Sequence, residues 1–225
     1  MIEELLPQTV VTVEARGDEG TDAPLYPEEA ALMERAVSKR RREFTAVRSC
    51  ARRAMEKLGV SARPVLPGER GAPVWPDGLA GSMTHCEGYC AAALVRAADL
   101  ASLGIDAEVH APLPEGVLSA VSLPEEAARI GRLSAERPAV HWDRLLFSAK
   151  ESVYKAWFPL TGKWLDFTGA DIEFSTDPGE RTRGGFRASL LVPGPRVGER
   201  RLGHFDGRWT TEGGLVATAI AVPHG

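Results

Sequence analysis

The sequence predicts an α+β protein in two halves, and two observations carry that expectation. A strong helical pattern followed by short strand candidates occurs twice, first from Pro27 onward and again from His141 onward. With 225 residues, 44% of them hydrophobic, the chain can bury one large core or two smaller ones packed together. The break falls at Ala97–Ser102, giving expected units 1–100 and 101–225. No obvious repeat in the sequence accompanies the duplication.

Gln8–Ala15 reads as a short apolar strand, followed by a loop rich in Gly, Asp and Pro. Pro27-Glu28-Glu29 then opens a helix expected to run unbroken to Leu58, since proline and two acids suit a first turn and Gly59 suits the stop. Its basic run, SKRRREFTAVRSCARRAMEK, puts Arg41 and Arg48 almost on one line, with Arg40 and Arg52 in or near the same quadrant. Such a run is a solvated face or an anion site. A turn-rich connection leads to a hairpin, Leu79–Thr84 and Tyr89–Val95 around Cys86-Glu87-Gly88, which leaves His85 at a strand end. His85, Cys86 and Cys90 fall short of the four ligands that structural zinc requires.

The next strand candidate, SLGIDAEV, sends Leu103, Ile105, Ala107 and Val109 to one side and Asp106 and Glu108 to the other. Two neighbouring carboxylates repel unless solvent, a proton or a cation intervenes, so this side is a solvated face or a cation site. An irregular segment with short helices follows, Pro112–Ala139, and then a second long helix, HWDRLLFSAKESVYKAWFPL, ending near Pro159. Phe147, Tyr154 and Phe158 form an apolar stripe on it with Glu151 at the edge, so an acid is expected to face inward, flanked by Lys150 and Lys155. A Glu151–Lys155 pair four residues apart is worth only ~0.3 to 0.5 kcal/mol and does not explain that placement. A third metal carboxylate does. The remainder reads as a meander of Ala170–Ser175, Gly185–Val192, Arg201–Trp209 and Gly214–Ala221.

Three cysteines without framework spacing argue for a reducing compartment, and the start MIEELLPQTV lacks a signal-peptide pattern, so a cytoplasmic protein without a membrane span is expected. The formal net charge of −4 leaves any phosphate affinity to local basic clusters. Neither a Walker loop nor G-x-G-x-x-G is present, and the acidic balance without a helix-turn-helix or stacking motif disfavours a nucleic-acid binder. Asp106, Glu108 and Glu151 offer only oxygen ligands, which suits Mg²⁺, with Mn²⁺ as a substitute, and such sites complete their shell with phosphates and water. That points to a pyrophosphate substrate held by arginines of the first helix, His85, Lys150 and Lys155.

Three segments, GAPVWPDGLAGSMTHCEGY, GIDAE and FSAKESVYKAWFPL, in that order and separation, resemble the signature of the surfactin-type 4'-phosphopantetheinyl transferases, in their actinobacterial branch. The likeness runs from the KRRREF helix to Trp164-Leu165-Asp166-Phe167. It implies two similar α+β halves related by a pseudo-twofold axis with the active site between them. The implied activity moves the phosphopantetheine arm of coenzyme A to a serine of acyl or peptidyl carrier proteins and releases 3',5'-ADP, with Mg²⁺, in a monomer. The resemblance implies metal binding by Asp106, Glu108 and Glu151, with Glu151 also the general base. Arg40, Arg48 and His85 take the 3'-phosphate, Lys150 and Lys155 the pyrophosphate, and Lys155 also stabilises the transferred group. Glu69, Arg70, Gly71 and Pro73 match the adenine-side loop, Thr84 precedes the phosphate-binding His85, and Trp164 lines the pantetheine channel. Pro67 stands where relatives often carry a lysine. Within Pro112–Ala139, Val117, Leu118, Val121 and Leu123 with Arg129 and Arg132 are expected to meet the carrier. The alternative is a non-catalytic coenzyme A or nucleotide-binding module, which needs the basic helix and His85 but not the three acids.

Overall fold

Two antiparallel sheets organise the chain, described here from a computed structural model of all residues, Met1–Gly225. The first holds β1 (Val11–Arg16), β2 (Leu79–Cys86) and β3 (Tyr89–Arg96) in the order β1-β3-β2. Helix α1 (Pro27–Leu32) precedes α2 (Ser38–Lys57), whose Val47, Cys50, Ala51, Ala54 and Met55 pack on Val13, Ala92 and Leu94 of that sheet. The second sheet comprises β4 (Ser102–Val109), β5 (Ala170–Thr176), β6 (Arg183–Leu190), β9 (His204–Glu212) and β10 (Leu215–Val222), ordered β4-β10-β9-β6-β5. A small hairpin, β7 (Arg196–Val197) and β8 (Arg200–Arg201), interrupts the meander. Helices α3 (Val117–Val121) and α4 (Pro124–Glu136) lead into α5 (Trp142–Thr161), which covers this sheet. The molecule is thus two α+β halves, each a sheet under a 20-residue helix. No helix is long and apolar enough to cross a membrane.

A third core joins the halves. Leu103, Ile105 and Ala107 of β4 pack with Ala91, Ala93 and Val95 of β3 and with Ala217 and Ala219 of β10, and Ile2 and Leu5 of the N-terminal turn close the cluster. The polar side of β4 is therefore not a solvated outer face: Ser102 donates to the carbonyl of Ala156 on α5 at 2.8 Å, and Asp106 is 4% exposed. Gly104 lets the helix come down. A Cβ there would lie 2.0 Å from the carbonyl oxygen of Ser152, so α5 rests directly on the β4 backbone.

The expected first helix breaks at 33–37, and the reason is a buried acid. Glu29 is fully buried on α1, where it accepts from the amides of Tyr26 (3.1 Å) and Val65 (2.9 Å) and pairs with Arg52 of α2 at 2.8 Å. That pair ties α1 back to the C-terminal half of α2, which a single straight helix over 27–57 would carry out of reach. The same device appears in the other half. Glu126 of α4 is 1% exposed, accepts from the amides of Leu123 and Ile172, both at 2.7 Å, and pairs with Lys150 of α5 at 2.8 Å. Both acids sit third in the pentapeptide Pro-Glu-Glu-Ala-Ala, at 27–31 and 124–128. A short repeat does accompany the duplication, contrary to the sequence-based expectation.

The wheel of the second long helix also needs correction. Phe147, Glu151 and Tyr154 are only half-buried, whereas Leu145, Ala149, Ser152, Val153 and Ala156 are fully enclosed. The small residues, not the aromatic stripe, face the sheet, because close approach at Gly104 and the Ser148–Thr218 hydroxyl contact of 2.9 Å require them. Of the stripe, Phe158 is buried beside Tyr154 as expected, while Tyr154 and Glu151 line a cleft.

Removing one partner of a buried, fully hydrogen-bonded ion pair costs about 3 to 5 kcal/mol. Glu126→Ala is expected to lose stability of that size in urea unfolding, while the exposed neighbour change Glu125→Ala stays within about 0.5 kcal/mol.

Candidate functional site

The site forms where β2 and β4 meet. The amide of Ile105 donates to Ser82 Oγ and that of Ala107 to Thr84 Oγ1, each at 3.0 Å, so side-chain hydroxyls of β2 satisfy an edge of β4. Thr84 Oγ1 also donates to Asp106 Oδ1 at 3.3 Å, and Lys155 of α5 reaches the same oxygen at 2.7 Å and the carbonyl of Ile105 at 3.1 Å. Asp106 Oδ2 is buried and has no hydrogen-bond partner. Thr84 is itself 3% exposed with its hydroxyl committed to this seam, which departs from a ligand-binding role for that group.

Next to Thr84, His85 lies in a basic patch. Arg40 Nη1 donates to His85 Nε2 at 3.0 Å, and Glu43 stands 3.8 Å from the same nitrogen. Arg48 stacks on Phe44, 3.7 Å from the ring centre, and its Nε donates to the carbonyl of Val65 at 3.4 Å. Desolvation, with Arg40 and Arg52 nearby and Glu29 opposing, lowers the Arg48 guanidinium to about 10. Desolvation and the cations Arg40, Lys155 and Arg48 hold His85 below its ordinary value against Glu43. The rest of the arginine run turns elsewhere: Arg41 to the carbonyl of Met33, Arg52 to Glu29 and Arg53 to Glu19. Arg40, Arg48, His85 and Lys155 thus crowd positive charge into one region, which suits an anion.

The acids occupy the other side of the seam. Glu108 pairs with Arg144 at 3.2 Å; desolvation and the charge of Asp106 raise it above the usual carboxylate range against Arg144 and Lys155. Desolvation likewise raises Glu151, opposed by Lys155 and assisted by Asp106. No three acidic, histidine or cysteine side chains converge into a ready metal cage. The donor set nevertheless fits a hard divalent cation: three carboxylates around Lys155, two of them resisting ionisation, and one buried oxygen without a partner.

Lys150 departs from expectation. Its ammonium, 2% exposed, gives its three donors to Glu126 and to the carbonyls of Phe167 (2.6 Å) and Ala170 (2.5 Å), so it braces the wall behind Glu151 and offers nothing to a substrate. Beyond that wall a cavity of about 110 Å³ is lined by Glu151, Tyr154, Trp164, Leu165 and Phe167. Trp164, 57% exposed, lies 5.0 Å from the ring of Tyr154. Arg70 reaches across from the first half to 5.5 Å over the Trp164 ring. It does so from the tip of a tight loop in which Glu69, Arg70 and Gly71 form a 3-10 turn and Pro67 bridges Pro73. Arg70 takes a left-handed φ of 53° there, and Gly71 one of 77°. Pro67 serves the loop's closure.

In the segment 112–139, Val121 is core, Leu118 packs partly on the core of the second half, and Arg129 is tied to Asp171 and the carbonyl of Ile172. Arg129 is therefore not a free rim charge; Arg132 remains exposed. A larger groove of about 720 Å³ between α4 and β5, β6 and β9 lies apart from the acids and the basic patch, with Arg129–Asp171, Arg187–Asp206 and Arg208–Asp177 already paired. Sequence reasoning missed Ser82 and Arg144, and neither carried a signal beyond its residue type.

Comparison with known proteins places both halves. A model described as the 4'-phosphopantetheinyl transferase N-terminal domain matches residues 28–95, and one for the 4'-phosphopantetheinyl transferase superfamily matches 102–195. The chain is 58% identical over 228 residues to 4'-phosphopantetheinyl transferase Svp of Streptomyces mobaraensis, covering 99% of this chain and 89% of that protein. It is 48% identical to PptT of Mycobacterium tuberculosis, over 99% and 98% of the two chains. It is 47% identical to Npt of Nocardia iowensis, over 98% and 99%. With its basic patch and its acids set on opposite sides of one strand seam, the chain belongs to the 4'-phosphopantetheinyl transferase family.

Proposed function

We propose that the protein transfers the 4'-phosphopantetheine group of coenzyme A to a serine of acyl or peptidyl carrier proteins and releases 3',5'-ADP. The observation that carries this reading is the seam itself: His85 follows Thr84 on β2 and Asp106 precedes Ala107 on β4, so one contact sets the anion patch beside the acids. Arg40, Arg48 and His85 bind the 3'-phosphate through charge-assisted hydrogen bonds, and the 69–73 loop borders the adenine. The pantetheine arm follows the cleft of Tyr154 and Trp164. Asp106, Glu108 and Glu151 would hold Mg²⁺, which when bound supplies charge neutralisation on the diphosphate. The carrier serine oxygen forms a bond to the β-phosphorus while the bond to the 3',5'-ADP oxygen breaks, and Lys155 steadies the transferred phosphoryl oxygens. The serine proton passes to Glu151, whose carboxylate lines the cleft beside Tyr154. The carrier approaches along 112–139, between the two acid-bearing elements, where the exposed Arg132 complements an acidic partner. The same reading takes 1–100 as the coenzyme A side and 101–225 as the metal and carrier side. It has the protein act as a monomer in the reducing cytoplasm, where Cys50, Cys86 and Cys90 stay thiols.

Incubation with coenzyme A, Mg²⁺ and an unmodified carrier, read by intact mass, is expected to add about 340 Da, the mass of the transferred group, to the carrier. Tight coenzyme A binding without that adduct would instead support the non-catalytic module.

The pH dependence follows from His85. Its folded-state pKa lies below the unfolded one, so it costs stability as pH falls through about 6.5. A bound phosphate brings negative charge beside it and raises its pKa, so binding takes up a proton. The ratio of 3',5'-ADP affinity, wild type over His85→Gln, is expected to grow as pH falls towards the depressed free-state pKa of the folded protein; the ratio cancels titration of the ligand's own phosphates. Calorimetry in buffers of different ionisation enthalpy measures the uptake directly, and a pH-independent ratio would remove His85 from the phosphate.

A further inference from the structure

The first turn of α5 grips the chain that leaves β4. The amide of His141 donates to His110 Nε2 at 3.0 Å, and Asp143 Oδ2 accepts from the amide of Leu113 at 2.7 Å. Between them Arg144 spreads three donors over three acceptors: Nη1 to Glu108 Oε2 at 3.2 Å, Nε to the carbonyl of Ala111 at 3.1 Å and Nη2 to that of Pro112 at 2.9 Å. The side chain is 17% exposed. Arg144 precedes Glu151 by seven residues and Lys155 by eleven, so all three share one line along the helix, with Arg144 and Glu151 about 10 Å apart. Cation, acid and cation on α5 thus face the two acids of β4, and each cation takes one of them: Lys155 holds Asp106, and Arg144 holds Glu108.

The two pairs differ in what holds the cation. Lys155 is a flexible ammonium with rotatable donors, whereas Arg144 is a planar fork fixed at two backbone carbonyls before it touches Glu108. A carboxylate held by an anchored fork keeps one orientation, and Arg144 engages only its Oε2.

We propose that Arg144 is a positioning residue that sets the Glu108 carboxylate for the divalent cation and locks the 110–113 strap to the same point. This rests on the group-transfer reading, because the cation is the one that reading requires. Outer partners of metal-binding carboxylates typically carry about 10- to 100-fold in metal affinity. Lysine keeps the charge but cannot reach three acceptors from a planar fork, so Arg144→Lys is expected to fail where a purely electrostatic role would be rescued.

The test uses the full chain and Mn²⁺ as probe, with free Mn²⁺ read by electron paramagnetic resonance in the presence of coenzyme A. Arg144→Lys and Arg144→Gln are each expected to raise the Mn²⁺ dissociation constant about tenfold or more. Coenzyme A affinity without metal should stay within about twofold, as the anion patch lies on α2 and β2. Should Arg144→Gln unfold, Arg144→Lys decides. Mn²⁺ affinity within about twofold of wild type in a folded Arg144→Lys, or tighter binding after loss of the cation, overturns the proposal. A wild-type protein that binds Mn²⁺ no better than Asp106→Asn overturns the metal reading, and this proposal with it.

Discussion

Two hydroxyls hold the site together. Sheet edges present backbone N–H groups, and a buried N–H left without a partner costs about 1 to 3 kcal/mol. At the junction of the halves the amides of Ile105 and Ala107 are met by Ser82 and Thr84, two residues apart on β2 as the amides are on β4. Matching period-two spacing makes this contact specific for one register. A slip by one residue would turn Asp106 and Glu108 into the apolar cluster of Ile2, Ala93 and Ala217, so packing and hydrogen bonding enforce the same alignment.

Behind the seam, each half carries its own brace. Glu29 ties α1 to α2 through Arg52 and to the chain at Val65; Glu126 ties α4 to α5 through Lys150 and to β5 at Ile172. Each carboxylate also caps the first turn of its helix, so removing it would unpair two amides and a cation together. These braces fix helices whose outward faces carry the working groups: Arg40 and Arg48 on α2, Glu151 and Lys155 on α5. Gly104 completes the arrangement by letting α5 settle close enough for Lys155 to reach Asp106.

Much of this was legible in the sequence. Alternation along SLGIDAEV separated the acids from Ile105 and Ala107, and turn residues bracketed the hairpin that carries His85, because period-two patterning and turn chemistry are local. What failed was whatever depends on a partner distant in sequence. The basic run could not reveal that Arg52 and Arg53 serve Glu29 and Glu19 while Arg40 and Arg48 serve the site. Lys150 beside Glu151 looked like a phosphate ligand until Glu126 claimed it. The two Pro-Glu-Glu-Ala-Ala segments were in plain view, yet an acid at the third position of a helix reads as an exposed cap, and only tertiary packing buries it.

The seam aligns two binding regions that are otherwise independent. Ser82 tests this alignment most directly, since its hydroxyl touches the seam and none of the proposed ligand contacts. In Ser82→Ala, single-turnover transfer from coenzyme A to a carrier should slow on the order of tenfold or more, because small misplacements of reacting groups cost rate steeply. Affinity for 3',5'-ADP measured without metal, which rests mainly on Arg40, Arg48 and His85 of the first half, should stay within about threefold in the same folded variant. Equal losses in both quantities, or an unchanged transfer rate, would contradict the claim that this contact sets the geometry of the reaction.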